Sequence, residues 1–321
     1  MATAKHELKL GRATREAFGE ALVELGRENP NVVVCDADLS KSTYTHLFAK
    51  EFKDRFFECG IAEANMVAIG AGLAHAGKVP FVSSFSAFLL NKGFEQLRVT
   101  AAYGRTNLKA VGTHSGISIG EDGPSQMSIE DISLATSLAG FTVIAPCDEI
   151  AMKELVKQAA HTWGPFFIRA GRAKCPLVYS PDQKFEIGKA IEVVAGTDVT
   201  VIANGLLVAE AVKASDTLAD EGISVRVVDM HTVKPIDRDA IAKAAAETGA
   251  IVVAEEHLVD AGLGVRVAQV VAETNPCVME FLGINDTYAE SGTPDDVLDK
   301  YGMRAKNVVE KIKAVLARKK K

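Results

Sequence analysis

The sequence predicts an α/β protein built from two parallel-sheet domains. Three observations support this: short β-branched runs alternate with amphipathic stretches, the strand runs are almost wholly apolar, and the alternation stops once, near mid-chain. Apolar strands that alternate with helices are typical of parallel sheets covered on both faces. At roughly 150 residues per domain, 321 residues suffice for two such units.

The elements of the first unit follow one another from residue 14 to residue 169. We predict strands at 32–35, 79–83, 108–112, 141–145 and 166–169, with helices at 14–28, 62–76, 85–103, 129–138 and 149–161. Between 174 and 189 the pattern gives way to a polar stretch with two prolines, which we interpret as a linker.

A second, smaller series follows the linker. We predict strands at 199–203, 224–229, 250–254 and 277–281, with helices at 207–220, 237–248 and 263–273. Gly205, Gly222, Gly249 and Gly262 lie at the junctions, where tight turns are needed. These patterns predict one domain at 1–180 and another at 188–321.

The composition is that of an ordinary globular protein. Hydrophobic residues make up 48% and charged residues 24%, which excludes a disordered chain. A net charge of −6 gives no electrostatic case for a nucleic-acid or membrane partner, and the basic run at 318–321 fits a solvated helix end. Five cysteines without a C-x-x-C pair favour reduced thiols, and no apolar leader or membrane-length run occurs. We therefore expect a cytoplasmic protein.

Two segments carry more polar chemistry than a connection needs. Residues 57–66 read FECGIAEANM, with Glu63 in the first turn of a predicted helix. A carboxylate there can simply complement the helix dipole. Residues 113–126 read THSGISIGEDGPSQ and directly follow a strand, where α/β sheets bind ligands. No Walker A, G-x-S-x-G or H-E-x-x-H motif is present, and the seven histidines lack metal-ligand spacing.

Together these segments resemble the thiamine-diphosphate enzymes of the transketolase family. The matching motifs keep the family's order with near-identical spacing: ATR at 13–15, Asp38 through Ser42-Thr43, GIAEANM at 60–66, PFVSSFSAF at 80–88, GEDGPSQM at 120–127, and VVD leading into TVKPID at 227–237. The resemblance covers essentially the whole chain. It implies the pyrimidine-binding and C-terminal domains, two of the three domains of a full transketolase.

The third domain of the family, which binds the diphosphate, has no counterpart here. In the family it holds the metal through Gly-Asp-Gly and a later Asn, whereas the single Asp-Gly step here is Asp122-Gly123, and no Asn occurs between Asn107 and Asn204. The resemblance therefore implies a split transketolase. An N-terminal partner subunit would hold the diphosphate and Mg²⁺ or Ca²⁺, no metal would bind this chain, and the expected assembly is a dimer of heterodimers.

The resemblance also implies roles for individual residues. Glu63 is the expected catalytic residue: it would bond the cofactor's aminopyrimidine and hold a proton, which requires a dry pocket. The expected cofactor-binding residues are Glu63, Phe85, Phe88, Gln126 and Asp38. Phe88 matches the stacking aromatic, and Phe85 is equally compatible with core packing. Gln126 stands where many relatives have His, so hydrogen bonding is expected of it rather than acid–base chemistry.

The expected substrate-binding residues would face a sugar phosphate, which needs cationic and hydroxyl groups. They are Arg15, Ser42 and Arg172 for the phosphate, His114, and Asp122 for a sugar hydroxyl. Arg169 is a weaker neighbour of the phosphate set, and His231 is expected to be structural.

The implied activity is transfer of a two-carbon ketol unit from a ketose phosphate to an aldose phosphate. Relatives specialised for sulfo-sugars or branched sugars have much the same loops, so these sugars fit equally. The nearest competing function is that of the β subunit of a 2-oxoacid dehydrogenase decarboxylase component, against which the phosphate set argues because a 2-oxoacid carries no phosphate. A deoxyxylulose-phosphate synthase fragment fits less well, since that enzyme is normally one chain. A non-catalytic, partner-binding subunit would keep the same fold, and the intact Glu63 and phosphate set speak against it.

Overall fold

The computed structural model describes residues 5–319. Its strands are β1 (Leu10–Ala13), β2 (Val32–Asp36), β3 (Phe56–Glu58), β4 (Val79–Phe85), β5 (Lys109–Thr113), β6 (Thr142–Ile144), β7 (Phe166–Arg169), β8 (Lys174–Pro176), β9 (Ile191–Val194), β10 (Val199–Ala203), β11 (Val225–Asp229), β12 (Thr232–Lys234), β13 (Ala250–Leu258) and β14 (Val278–Ile284).

The α-helices pack on the faces of the sheets formed by these strands. They are α1 (Thr14–Glu28), α2 (Ser40–Thr43), α3 (His46–Glu51), α4 (Glu63–His75), α5 (Ser86–Gln96), α6 (Asp131–Ser137), α7 (Glu149–His161), α8 (Leu207–Ala219), α9 (Arg238–Thr248), α10 (Leu263–Glu273), α11 (Pro294–Lys300) and α12 (Ala305–Lys319).

The first sheet has the strand order β12-β6-β7-β5-β4-β2-β3. Its pairs are parallel except for β12 with β6, where Thr232 lies opposite Ile144. Every side chain of β2, β5 and β7 is buried, as expected of central strands covered on both faces. The second half of the chain thus completes the first sheet, since β12 lies beyond the predicted linker.

The second sheet has the order β14-β13-β10-β11-β9, with parallel pairs except for β9 against β11. The predicted fold class, two parallel-sheet α/β units, is therefore confirmed. One predicted element needs correction. The single helix predicted at 85–103 is α5 followed by a π-helical segment, Leu97–Tyr103, in which Gly104 N–H donates to the Val99 carbonyl (3.1 Å). A hydrophobic period cannot distinguish this one-residue insertion in the helix from a continuous helix.

The connection at 174–189, interpreted as a linker, packs against the rest of the chain. Strand β8 pairs antiparallel with β1, and the side chains of Tyr179 and Phe185 are buried. The Tyr179 hydroxyl donates to Asp229 Oδ2 (2.7 Å), at the end of β11. Two aromatic side chains in an otherwise polar stretch therefore attach the connection to the second unit.

Three further expectations concern the basic run at the end of the chain, His231 and membrane-spanning helices. Arg318 and Lys319 end α12 and are exposed, and the rest of the basic run, Lys320 and Lys321, lies outside the described residues. His231, expected to be structural, is buried and packs edge-on against Phe185. Within residues 5–319, no helix combines the length and apolar character needed to cross a bilayer.

Candidate functional site

The candidate site lies at the carboxyl ends of β2, β4 and β5. Because these strands are parallel neighbours, the segments that follow them meet at one edge of the sheet. Helix α4 begins at Glu63, whose side chain is 3% exposed. A Cβ on Gly93 of α5 would lie 3.2 Å from Val67, so this glycine lets α5 approach α4 closely. On α5, Lys92 Nζ reaches to 3.5 Å from Glu63 Oε1.

Three aromatic rings form a stack beside Glu63. Phe85 ends β4, Phe88 lies in the first turn of α5, and His114 follows β5. The centroids of Phe85 and His114 are 3.8 Å apart, and those of Phe85 and Phe88 are 5.5 Å apart, both pairs stacked. Phe85 is buried, as its core-packing interpretation requires, and is also the middle ring of the stack.

Three of the predicted substrate-binding residues are joined by hydrogen bonds. Arg15 Nη1 donates to the Ser42 carbonyl oxygen (2.9 Å) and to His114 Nε2 (3.0 Å). A guanidinium can only donate, so Nε2 accepts and the imidazole proton is assigned to Nδ1, which bonds Thr113 Oγ1 (2.9 Å). Residues 15, 42 and 114, far apart in sequence, thus form one polar row.

Two guanidinium charges act at this row, which we call the cationic row: Arg15 belongs to it, and the charge of Arg172 reaches it. Burial, together with the charges of Arg15 and Arg172, lowers the pKa of His114 to about 3, so the ring is neutral at pH 7. Burial also lowers the pKa of Arg15, and the charge of Arg172 adds to that effect. Arg15 Nε is buried and has no hydrogen-bond partner among the described residues. Two close guanidiniums with a free donor are suited to bind an anion.

Arg172 and Asp122 lie near this row without joining it. Arg172 Nη1 donates to the Ile119 carbonyl (2.7 Å) and to the exposed carboxylate of Glu121. Asp122 is exposed, and its charge acts against the lowering of the Arg15 pKa. The 3-10 helix Ile117–Asp122 therefore contains Asp122 and also holds Arg172, through Ile119 and Glu121.

Asp38 and Gln126 are not brought into contact with Glu63 or Phe88. Asp38 is exposed in a left-handed turn (φ 63°), and its N–H donates to Glu58 Oε1 (2.8 Å). Gln126 is half-buried and accepts a bond from Ser125 Oγ (2.5 Å). Their cofactor-binding roles therefore stay predictions.

Arg169, the suggested neighbour of the phosphate set, needs a correction. It is buried, and its Nε donates to Asp131 Oδ2 (2.7 Å) rather than facing the open rim. Its Nη2 donates to the Ser128 and Glu256 carbonyl oxygens. The position of Arg169 at the end of β7, beside residues 113–126, suggested a residue at the rim of the site. In the structure its guanidinium instead pairs with the buried carboxylate of Asp131.

Sequence reasoning missed a set of acids that supports residues 113–126, which we call the site loop. Glu256 Oε1 accepts a bond from Ser118 N–H (2.5 Å), and burial raises the pKa of this carboxyl to about 7. Gly116 is needed there because a Cβ would collide with the Glu256 carboxylate. The detectable signal was a pair of glutamates, Glu255-Glu256, inside the otherwise apolar strand β13. We call Asp131, Arg169 and Glu256 the buried charge cluster.

Asp36 was also missed, although its neighbour Asp38 was chosen. It is fully buried at the end of β2 and accepts bonds from the hydroxyls of Thr43 (2.7 Å) and Thr45 (2.8 Å). Burial raises the pKa of Asp36 to about 6. These bonds fix the segment that presents Ser42 to Arg15.

A groove of about 560 Å³ opens between α5 and the site loop. Phe88 and Lys92 line it together with Tyr288 of the second unit. Of these three residues, the sequence had indicated Phe88 alone. Among residues 5–319, no group of three His, Cys, Asp or Glu side chains is arranged to hold a metal ion. The groove presents the Phe88 ring and the Lys92 ammonium, which pairs with the buried Glu63.

Two family models match the chain over most of its length. The transketolase pyrimidine-binding domain matches residues 11–176, and the transketolase C-terminal domain matches residues 188–308. The chain belongs to the transketolase family. This confirms the resemblance inferred from the motifs.

Individual relatives place the chain in the C-terminal half of a transketolase. A putative transketolase C-terminal section of Methanocaldococcus jannaschii is 41% identical, with 94% of this chain and 95% of that protein covered. Human transketolase is 37% identical over 95% of this chain, but the match spans 49% of the human protein. The chain thus covers about half the length of the animal transketolases.

A solved structure agrees with this placement. It is a split-gene transketolase in an inactive β4 tetramer, with a TM-score of 0.90, 46% identity, and coverage of 96% of this chain and 100% of that one. The fold of the chain is therefore that of a transketolase C-terminal section.

Proposed function

We propose that this chain is the C-terminal subunit of a split transketolase, which transfers a two-carbon ketol unit from a ketose phosphate to an aldose phosphate. The observation that carries the proposal is the pairing of a buried acid and an aromatic stack with a cationic row at one sheet edge. A buried acid beside a flat aromatic face suits an aminopyrimidine, and the cationic row suits a phosphate. Bound thiamine diphosphate would supply carbanion stabilisation.

The chain's own residues would then do four things. Glu63 would hold a proton at the ring nitrogen of the cofactor, and Phe88 would stack on the ring. Arg15 and Arg172 would bind the substrate phosphate through charge-assisted hydrogen bonds. The neutral His114 would bond a sugar oxygen. Sites that bond substrate hydroxyls discriminate strongly against analogues that lack them. Phe85, Gln126 and Asp38 complete the proposed cofactor-binding set. Ser42 and Asp122 complete the proposed substrate-binding set.

We propose that a partner subunit supplies the diphosphate-binding domain and Mg²⁺ or Ca²⁺, in a dimer of heterodimers. Two relatives support this: the archaeal C-terminal section and the split-gene structure match this chain over nearly their full lengths. The proposed domains of this chain are 1–180 and 188–321. Its five free thiols support a cytoplasmic location.

The test uses the complex of this chain with a co-purified subunit bearing a diphosphate-binding domain. With thiamine diphosphate and Mg²⁺, we expect ¹³C-labelled carbon to pass from a ketose phosphate to an aldose phosphate. Replacing Glu63 with Gln should lower kcat at least about 100-fold, the usual worth of a positioned proton-transfer group.

The matched control is Glu210→Gln, because Glu210 is also a buried glutamate paired with a lysine but lies in the second unit. It should leave turnover unchanged. Turnover that survives Glu63→Gln would contradict the proposal. Oxidative decarboxylation of a 2-oxoacid, with no transfer between sugar phosphates, would favour the decarboxylase β subunit instead.

A further inference from the structure

Lys92 occupies a position that nothing in the proposed chemistry requires. It lies four residues after Phe88 on α5, so both side chains share one helix face. Its ammonium is 4.5 Å from the centre of the Phe88 ring and 3.5 Å from Glu63 Oε1. One cation thus contacts both the aromatic face and the acid.

These two contacts are of known physical kinds. An ammonium over an aromatic face is attracted by the ring quadrupole, and an ammonium beside a carboxylate favours its ionised form. Glu63 has no other ion-pair partner among the described residues. In the structure as it stands, Lys92 therefore contacts both groups to which the proposed function assigns the aminopyrimidine.

We propose that Lys92 is a displaceable latch on the cofactor ring's site, and this inference rests on the proposed function. In the free chain the ammonium covers Phe88 and pairs with Glu63. Binding of an aminopyrimidine requires the ammonium to leave both groups, so that the ring can stack on Phe88 and bond Glu63. Lys92 is a positioning residue, since it acts through Glu63 and Phe88.

The groove gives the displaced side chain room to move. Lys92 is 52% exposed and lines the groove of about 560 Å³ with Asn91 and Glu130, so its flexible stem can swing toward solvent. Asn91 Nδ2 donates to Glu130 Oε1 (3.1 Å), which keeps a carboxylate on the far wall of the groove. Displacement therefore needs no movement of α5.

The test measures the Kd of thiamine diphosphate, with Mg²⁺, for the complex carrying wild-type chain, Lys92→Met or Lys92→Arg. Removing the latch removes two competing contacts, so Lys92→Met should bind about five- to tenfold more tightly. Lys92→Arg keeps the charge and the ring contact and should stay within about twofold of wild type. Raising salt should narrow the gap between wild type and Lys92→Met, because the ion pair is screened.

The matched control is Lys213→Met, which removes a half-exposed lysine from a buried glutamate in the second unit and should not change the Kd. Equal or weaker cofactor binding by Lys92→Met would overturn the latch, weaker binding showing that the lysine contacts the cofactor. A wild-type complex that binds no thiamine diphosphate would instead overturn the proposed function, and the latch with it.

Discussion

The two ends of the candidate site are built differently. At the cationic end, hydrogen bonds join Arg15, Ser42 and His114, whereas Arg172 is bonded to the loop residues Ile119 and Glu121. The second unit holds that loop through the bond between Ser118 N–H and Glu256. At the acidic end, Phe88 stacks on Phe85, and a 3.5 Å ion pair joins the side chains of Glu63 and Lys92 beside an open groove. In our proposals the cationic end is therefore organised before any ligand binds, whereas the acidic end must rearrange when Lys92 leaves Glu63 and Phe88.

The largest expected effect comes from breaking the buried charge cluster that supports the cationic end. Asp131→Ala leaves the Arg169 guanidinium buried without its closest carboxylate, which should lower the free energy of unfolding by about 3–5 kcal/mol. Urea unfolding at pH 7 measures this.

A conservative variant and a surface pair serve as references for that measurement. Asp131→Asn keeps the shape and should cost less, and Glu24→Ala breaks the part-exposed pair with Lys157 and should cost less than about 1 kcal/mol. Similar losses for Asp131→Ala and Glu24→Ala would mean that the cationic end is not rigidly supported.

An intermediate effect is expected from pH, acting on His114. Its pKa is about 3 in the folded chain and about 6.5 when unfolded, so the unfolded state alone takes up a proton between these values. Stability from the buried neutral ring is complete above pH 6.5 and is lost as pH falls toward 3. Between pH 7.5 and pH 5 this contribution should shrink by about 2 kcal/mol.

The comparison of wild type with His114→Gln isolates this contribution. Gln lacks the titrating ring, and other shifted groups such as Asp36 titrate in both proteins and cancel. Urea unfolding across pH 5–7.5 should show the difference between the two proteins narrowing by that amount as pH falls. Parallel curves would show that His114 has the same pKa in the folded and unfolded chain, which would contradict its lowered pKa.

The smallest effect is expected at the acidic end. Lys92→Met removes a half-exposed ammonium, so the free energy of unfolding should change by less than about 1 kcal/mol. Thermal or urea unfolding of the isolated chain measures it. A loss above about 2 kcal/mol would mean that Lys92 supports the fold, and the two ends would then be equally rigid.

Much of the fold could be predicted because its helices are locally amphipathic and its central strands continuously apolar. Helices α1, α7 and α10 have the predicted ends. The edge strands β9 and β12 were missed, since an antiparallel edge pairing depends on a neighbour far away in sequence. The packing of the linker was not predicted, because two buried aromatics carry little weight in a polar stretch.

The candidate site divides in the same way. The family resemblance indicated Glu63, Phe88, Arg15, Ser42 and His114, because each stands at a position that matches one of the family's motifs. Glu256 and Lys92 could not be found in this way. Glu256 acts on Ser118, 138 positions earlier, and Lys92 acts on Glu63, 29 positions earlier, and such contacts leave no local pattern.

The sequence by itself determined the fold class, the family and the residue types available for chemistry, because periodicity and motif spacing are local properties of the chain. Tertiary structure alone decided which charges are buried, which are free and which pair. Arg169 and Arg172 lie three residues apart, yet one is neutralised inside the protein and the other lies at the rim. That outcome depends on desolvation and on neighbours from distant segments, which only the folded chain brings together.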